Sequence, residues 1–462
     1  MSEKKSENEK LQEKILQKKK SAWLQLKDHK KVFDFCEGYK GFMKNSKTER
    51  LCVEGIVKVL EENGFKRIDD CKSLKKGDKV YRVVKNKSVI ATYVGKEPES
   101  LRIVGSHIDS PRLDLKPSPL YEDSEIALLQ THYYGGIKKY HWVNVPLSLH
   151  GVVHTKSGEK MSLSIGENDD EPRFVISDLL IHLSRDQMKK EASKVVEGEE
   201  LNVFIGNYPV NDDKINEKVK FLVMKKLNDD YGIVEEDFNF AELQFVPANK
   251  PMDIGIDKSM VGAYGHDDRA ATYASLQGFI EAEPKCTTVA MFVDKEEIGS
   301  VGNTGAESFI LKDFVDDYCK LLGINGNILR NAESISADGT SAVDPTHKGV
   351  MDGQNSSYMG KGVSVDKYGG SGGKYHTNDA HAEFMQKIRK ILDENDIPWQ
   401  TGEIGKIDMG GGGTIAMFLS RYGMDCVDAG PCILGMHSTF EVISKADLYC
   451  SYLLYKGFFE SE

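Results

Sequence analysis

The sequence predicts an α/β protein in which a layered mixed sheet carries helices on both faces. From about residue 287 onward, strand-like apolar runs alternate with helical patterns, which is typical of layered α/β folds. The run from Thr287 to Val293 is β-branched and apolar, as in a strand buried on both faces, and it stops at Asp294 and then Glu296 and Glu297. In α/β proteins the carboxyl edge of the sheet is where ligands bind. We therefore expect the functional residues to lie at this edge of the sheet.

Composition limits the classes of function. The 462 residues suffice for two domains or for one large core with an insertion, and 40% hydrophobic with 29% charged residues is typical of a globular enzyme. The net charge of −11 argues against nucleic acid or an anionic membrane as partner. We find no apolar run long enough for a membrane span, no secretory signal, and eight cysteines without a CxxC pair. We therefore expect a cytoplasmic protein.

The first hundred residues read as helices followed by strands. Apolar residues at helical spacing occur in residues 1–30, and a helical pattern continues to Asn63 before Gly64. Two strand-like runs, Lys79–Lys85 and Ser88–Val94, flank a hairpin signal. A third run, Leu101–Gly105, leads directly into the sequence SHIDSPR.

The character of the chain changes after Arg112. Residues 113–249 contain prolines and alternating strand-like pieces, and we expect them to form a unit inserted into a catalytic domain made of residues 1–112 and 250–462. The remaining predicted elements are strands at Leu147–His154, Lys160–Ile165, 287–293 and 333–337 and helices near 305–322, 377–395, 413–422 and after Phe440.

Metal-capable side chains stand where predicted elements begin or end. His107 and Asp109 follow one strand, Asp338 and His437 follow two others, and Asp267 stands where a helix starts. Two histidines with several carboxylates, counting Glu296 and Glu297, suit zinc or a similar divalent ion. Two metals can share one carboxylate, and a carboxylate that binds no metal can deprotonate the attacking water.

For several other candidate residues, the sequence favours a role other than metal or phosphate binding. His150 and His154 have the spacing of a helical metal pair, but the residues between them favour a strand. The glycines of 410–413 lack the spacing of a phosphate-binding loop and suit close approach of the backbone to a substrate. We interpret the remaining candidates as capping, surface, packing or solvated residues: His376, Asp379, His381, His266 and Lys18–Lys20.

Taken together, the fragments resemble the aspartyl aminopeptidase family of metallopeptidases, and most closely its first bacterial type. The matching pieces occur in the family's order and cover nearly the whole chain. They are SHIDSP (106–111), Asp267 before a helix, DKEEIGS (294–300), SADGTSAV (336–343), GGGTI (411–415) and GMHS (435–438).

The resemblance implies a centre of two divalent ions, with zinc expected and cobalt or manganese as alternatives. His107, Asp267 and either Asp338 or Glu297 would hold one ion. Asp267 would bridge, and the remaining carboxylate with His437 would hold the other. Glu296 would be the general base and Asp109 would orient His107. A cis peptide bond between Asp267 and Asp268 is also implied.

The resemblance further implies that the inserted domain is β-rich and forms dimers that assemble into a dodecamer. Leu180–Leu183 matches the piece whose histidine touches substrate across the dimer interface, so His182 is expected to act in the neighbouring subunit. The chain departs from the family pattern nearby, with Ser177–Asp178 where a proline is usual.

A second departure concerns the substrate. Ser341 stands where the family commonly has a histidine. Candidate substrate contacts are Lys367, Lys374, Tyr375 and Gly412, in glycine-rich segments, and the preference between acidic and neutral N-terminal residues stays open.

The predicted function is a cytoplasmic metalloaminopeptidase acting on peptides with a free N-terminus. A di-metal N-acyl amino acid amidohydrolase is the alternative, and a non-enzymatic assembly protein a third.

Overall fold

The computed structural model describes residues 5–16 and 18–461. Its centre is a nine-stranded mixed sheet with helices on both faces, which confirms the predicted fold class. Within the described residues, no helix combines the length and the apolar character that crossing a membrane requires.

The α-helices follow one another along the chain with these bounds: α1 Glu7–Ile15, α2 Ala22–Gln25, α3 His29–Asn45, α4 Glu49–Glu62, α5 Lys218–Tyr231, α6 His266–Glu281, α7 Ile310–Leu322, α8 Ala382–Glu394, α9 Ala416–Ser420 and α10 Lys445–Glu460.

The strands have these bounds: β1 Lys66–Arg67, β2 Lys79–Val84, β3 Ser88–Tyr93, β4 Glu97–His107, β5 Arg112–Asp123, β6 Ile126–Tyr134, β7 Leu147–His154, β8 Lys160–Ile165, β9 Asn202–Gly206, β10 Glu242–Pro247, β11 Met252–Ile254, β12 Met260–Ala263, β13 Cys286–Val293, β14 Glu333–Ser336, β15 Thr340–Ser341, β16 Val363–Asp366, β17 Gly370–Ser371, β18 Trp399–Thr401, β19 Gly411–Gly412, β20 Asp425–Gly430, β21 Cys432–Leu434 and β22 Glu441–Ser444.

The central sheet has the strand order β1-β2-β3-β13-β4-β14-β20-β16-β18. Strand β4 lies between β13 and β14 and is parallel to both, with Val293 opposite His107 and Ser336 opposite Gly105. Because side chains alternate along a strand, Ala290 and Phe292 pack with α6 and α10 on one face, while Met291 packs with α7 and α9 on the other. The three strands therefore end together at one edge.

Three further sheets in the described part of the chain accompany this core, and the smallest of them is the two-stranded β17-β19. A five-stranded sheet, β11-β12-β22-β21-β15, lies in the carboxyl-terminal half of the chain. A six-stranded antiparallel sheet, β8-β7-β10-β5-β6-β9, consists only of strands between Arg112 and Pro247 and has its own apolar cluster around Trp142 and Phe245. The division of the chain into two domains stays a prediction.

Several predicted boundaries were wrong. The helical pattern that continues to Asn63 forms two helices, because Thr48 caps a new helix with its side-chain oxygen accepting the N–H of Leu51 at 3.3 Å. The helices expected from about 305, 377 and 413 begin later, at Ile310, Ala382 and Ala416. His150 and His154 lie in β7, as the strand interpretation predicted.

Candidate active site and metal centre

The candidate site lies at the edge where β4, β13 and β14 end. His107 is the last residue of β4. Glu296 and Glu297 lie in a short helical turn just after β13, and Asp338 comes two residues after β14. Asp267 and His437 belong to the segments that follow β12 and β21 of the five-stranded sheet.

One group of donor atoms consists of His107, Asp267 and Asp338. Their donor atoms all lie within 4.8 Å of one another. The His107 Nε2 is 3.3 Å from Oδ1 of Asp267 and 4.0 Å from Oδ1 of Asp338. This separation suits three ligands around one ion, since each metal–ligand bond is about 2 Å long.

A second group consists of Asp267, Glu297 and His437, again with donor atoms within 4.8 Å of one another. The His437 Nε2 is 3.2 Å from Oδ2 of Asp267 and 3.3 Å from Oε2 of Glu297. Asp267 thus belongs to both groups. The sequence left open whether Asp338 or Glu297 accompanies His107, and the structure places Asp338 in the group with His107.

Both imidazole rings present Nε2 to the carboxylates because Nδ1 has a partner behind the ring. The Nδ1 of His107 lies 3.1 Å from the carbonyl oxygen of Asp109, and that of His437 lies 2.9 Å from the carbonyl oxygen of Gly136. A carbonyl accepts only from a protonated Nδ1, which leaves the Nε2 lone pair free for a metal. Gly136 comes from the segment between β6 and β7, so this segment reaches the site of its own chain.

Asp109 is fully buried and holds several parts of the site. Its Oδ1 lies 3.4 Å from Nδ1 of His107, the hydroxyl of Tyr134 donates to its Oδ2 at 2.8 Å, and the N–H groups of Glu296 and Glu297 donate to the two oxygens at 3.2 Å each. The predicted role, orientation of His107, stays a prediction. The contacts add that the same carboxylate fixes the backbone of both glutamates.

The crowding of buried carboxylates shifts their pKa values. Burial raises the pKa of Glu297 and of Asp338 well above the ordinary range and that of Glu296 to about 7. For His107 and His437, burial alone lowers the pKa, but the neighbouring carboxylates outweigh it and raise both values, that of His437 to about 10. The site therefore has a negative electrostatic potential, which favours the binding of cations.

The donor set fits divalent ions. Among the buried side-chain atoms of the described residues, Oδ1 of Asp267 and Oε1 of Glu297 have no hydrogen-bond partner. A buried carboxylate oxygen without a partner is costly, and coordination to a cation compensates for that cost. Imidazole nitrogen combined with carboxylate oxygen is the ligand chemistry of catalytic zinc sites.

The donor groups open into a cavity of about 540 Å³. Part of its wall is apolar, from Ile404, Met417, Phe418 and Met436, and Gly412 also contributes to it. None of the described residues that line the cavity is a lysine or an arginine. His376, which we interpreted as a capping or surface residue, does line the cavity.

Other sequence candidates lie outside this cavity. Lys374 forms an ion pair with Asp379 at 3.0 Å, Lys367 lies 3.9 Å from the same aspartate, and Tyr375 is exposed. His182 lies exposed on a short helical turn, Ile181–Leu183. Their proposed contacts with substrate stay predictions.

His266 is the packed neighbour that the sequence suggested. It is fully buried, its Nδ1 lies 2.5 Å from the hydroxyl of Tyr39, and its Nε2 lies 3.0 Å from the carbonyl oxygen of Val261. The bond between Asp267 and Asp268 is cis, as the resemblance implied.

Two buried residues at the site were missed from the sequence. Tyr134 contacts Asp109 from β6, and no local pattern could have pointed to it. Glu441 accepts hydrogen bonds from the N–H groups of Asp267 and His437. A carboxylate four residues after the candidate ligand His437 was a usable signal, in the sequence GMHSTFE.

Comparison with known proteins decides the family. Residues 42–459 match the model of the family described as aminopeptidase I zinc metalloprotease (M18). The chain belongs to the M18 family. A probable M18 family aminopeptidase 1 of Clostridium acetobutylicum is 46% identical to this M18 chain over 449 residues, which cover 94% of this chain and 97% of the relative.

Two solved M18 structures resemble this M18 chain over nearly its full length. The crystal structure of the M18 aminopeptidase from Thermotoga maritima matches with a TM-score of 0.94 and 42% identity, covering 97% of this chain and 100% of that one. Aminopeptidase I from Clostridium acetobutylicum matches with a TM-score of 0.91 and 44% identity, with the same coverage. These matches confirm the predicted resemblance.

Proposed function

We propose that this metal-dependent aminopeptidase removes single residues from the free amino end of peptides at a centre of two divalent ions, with zinc as the expected metal. The observation that carries the proposal is the presence of Asp267 in both donor groups. His107, Asp267 and Asp338 would hold one ion, and Asp267, Glu297 and His437 the other. Bound divalent ions supply Lewis acidity, which makes water nucleophilic and polarises the scissile carbonyl.

Of the two adjacent glutamates, Glu296 is better suited to proton transfer than Glu297. It lines the cavity, and its Oε2 lies 4.0 Å from Nε2 of His107, whereas neither donor group includes it. Burial raises the pKa of Glu296 to about 7, close to the value that suits a general base near neutral pH. Glu296 would take the proton of the attacking water and pass it to the leaving amine.

The donors and acceptors of the site account for the requirement for a free amino end. A free α-amino group offers a nitrogen lone pair to a divalent ion and N–H groups to the carboxylate of Glu296, which lines the cavity and belongs to neither donor group. An acylated amine has a delocalised lone pair and only one N–H group. The alternative function, hydrolysis of N-acyl amino acids, is not favoured by the relatives, which are named aminopeptidases.

We expect leucine p-nitroanilide to be hydrolysed about a hundredfold faster than its N-acetyl derivative. Acetylation removes the amine lone pair and all but one of its N–H groups, a loss of about 3 kcal/mol in kcat/KM. Release of nitroaniline from the two substrates at equal protein and zinc concentrations is the measurement. Faster hydrolysis of the acetylated compound would favour the amidohydrolase and contradict the proposed function.

The cavity also indicates which N-terminal residue is preferred. Its apolar wall accepts a neutral side chain, and the nearby Lys374 already has Asp379 as partner. We expect leucine and methionine amides to exceed the aspartate amide in kcat/KM by at least about 10-fold, since burying even a neutral polar group without a partner costs roughly 1–3 kcal/mol and an unpaired carboxylate costs more. A scan of N-terminal residues on one peptide measures this, and a preference for aspartate or glutamate would contradict it.

The surface around His182 supports a homo-oligomer. The turn that carries this histidine exposes apolar side chains, with Ile181 70% and Leu183 69% exposed. Exposed apolar residues clustered on one loop are typical of an interface. We propose that a second copy of the chain covers this loop and receives His182, within the dodecamer of dimers that the resemblance implied.

The compartment that we propose is the cytoplasm. All eight cysteines are free and seven of them are buried, so none is engaged in a disulfide. Free cysteines of this kind are usual in proteins of reducing compartments.

A further inference from the structure

Glu441 is a buried carboxylate that lies behind the metal centre. It is the first residue of β22, where it pairs with Ala263 of β12, and it is only 1% exposed. Its Oε1 accepts the N–H of His437 at 2.7 Å and its Oε2 accepts the N–H of Asp267 at 3.1 Å. One side chain thus ties the start of α6 to the segment that follows β21, two distant parts of the sequence.

Both segments carry residues of the second donor group. The Oδ2 of Asp267 and the Nε2 of His437 lie 3.2 Å apart on the side that faces the cavity, while Glu441 holds the two backbones from behind. His437 has a positive φ of 64°, a conformation that is uncommon outside glycine and that needs support from its surroundings. The bond from its N–H to Glu441 is such a support.

Asp109 offers a parallel on the opposite side of the site. It accepts the N–H groups of Glu296 and Glu297, as Glu441 accepts those of Asp267 and His437. In each case a buried carboxylate with two oxygens joins the backbones of two residues that face the cavity. Both oxygens of each side chain are therefore used, and the loss of either acceptor would leave a buried N–H group without a partner.

We propose that Glu441 is a positioning residue that sets the spacing of Asp267 and His437 and thereby the affinity of the second donor group for its ion. The proposal rests on the proposed function, because it takes these residues as metal ligands. Groups that hold metal ligands in place typically change metal affinity or activity by about 10- to 100-fold when they are replaced.

Glu441→Gln is the sharpest variant. Glutamine has nearly the same shape but only one acceptor oxygen, so its amide group would face the N–H of Asp267 or His437 donor to donor. We expect one of the two zinc-binding steps, measured by calorimetric titration of the metal-free protein, to lose about 10- to 100-fold in affinity relative to wild type. The kcat at limiting zinc should fall and recover in excess zinc, while KM stays unchanged.

A matched control is available in α10, the helix that directly follows β22. Asp447 is fully buried and accepts the N–H groups of Gly360 and Gly362 at 2.6 and 2.7 Å, so it joins two backbone positions in the same way but contacts none of the proposed ligands. Asp447→Asn should lower the melting temperature and leave both zinc affinities unchanged. Glu441→Asp, which keeps the charge but reaches less far, should lie between wild type and Glu441→Gln.

The outcomes separate the inference from the proposed function. Wild-type protein that binds no zinc overturns the proposed function itself. Wild-type protein that binds two ions, with Glu441→Gln and Glu441→Asp binding them equally tightly, overturns only the role of Glu441. Equal losses of zinc affinity in Asp447→Asn and Glu441→Gln would also overturn it, because the effect would then follow general destabilisation. If Glu441→Gln does not fold, Glu441→Asp decides alone.

Discussion

Replacing Glu296 by glutamine is expected to lower kcat by about 10³-fold while the protein keeps its metal ions. A general base contributes roughly 10²- to 10⁴-fold, and glutamine preserves the shape of the side chain but cannot accept the proton of the attacking water. Glu296 is not a member of either donor group, so the loss of its charge should leave the ligands in place. Turnover of leucine p-nitroanilide and zinc content of the same preparation are the two measurements.

The neighbouring residue is the natural control for this variant. Glu297 belongs to the second donor group, and its Oε2 lies 3.3 Å from Nε2 of His437. Glu297→Gln should therefore lose zinc and regain part of its activity when zinc is raised, whereas Glu296→Gln should not respond to zinc. Near-normal kcat in Glu296→Gln would show that the base has been assigned wrongly. Zinc loss in both variants would show that the two glutamates share one role.

Strand boundaries alone were enough to predict that several residues of the site lie close together. His107, the glutamate pair and Asp338 each follow an apolar run, and parallel strands end at the same edge of a sheet. The structure places these runs side by side as β4, β13 and β14. The physical reason is that strands buried on both faces are mostly apolar, so a cluster of charged residues after an apolar run favours the end of a strand.

Asp267 and His437 were also singled out at element boundaries, but only the resemblance assigned Asp267 as the shared ligand. Asp267 and His437 reach the site from the five-stranded sheet, and nothing in their local sequence indicates where that sheet lies. The choice of Asp338 as the companion of His107 depends on loop geometry, which periodicity does not determine. The backbone carbonyl of Gly136 could not be found at all, because every residue carries one.

His182 is the remaining predicted site residue whose position a single chain cannot explain. It is exposed, it does not line the cavity of its own chain, and apolar neighbours surround it on its turn. If it reaches the cavity of a second copy, it is placed to stabilise the oxyanion that forms when water attacks. Removing one such donor typically costs about 10²- to 10³-fold in kcat, so we expect a loss of this size in His182→Ala with full zinc content.

A mixing experiment decides whether His182 acts across the interface. Subunits of Glu296→Gln and His182→Ala, each nearly inactive alone, are unfolded together, refolded in equal amounts and assayed. Random dimers are half mixed, and each mixed dimer contains one site with an intact Glu296 and an intact partner histidine, so about a quarter of wild-type activity should return. Mixing Glu296→Gln with Glu297→Gln subunits is the control. Each of these glutamates serves the site of its own chain, so no mixed dimer contains an intact site and no activity should return. If the first mixture also stays inactive although mixed dimers form, His182 does not act in the neighbouring subunit.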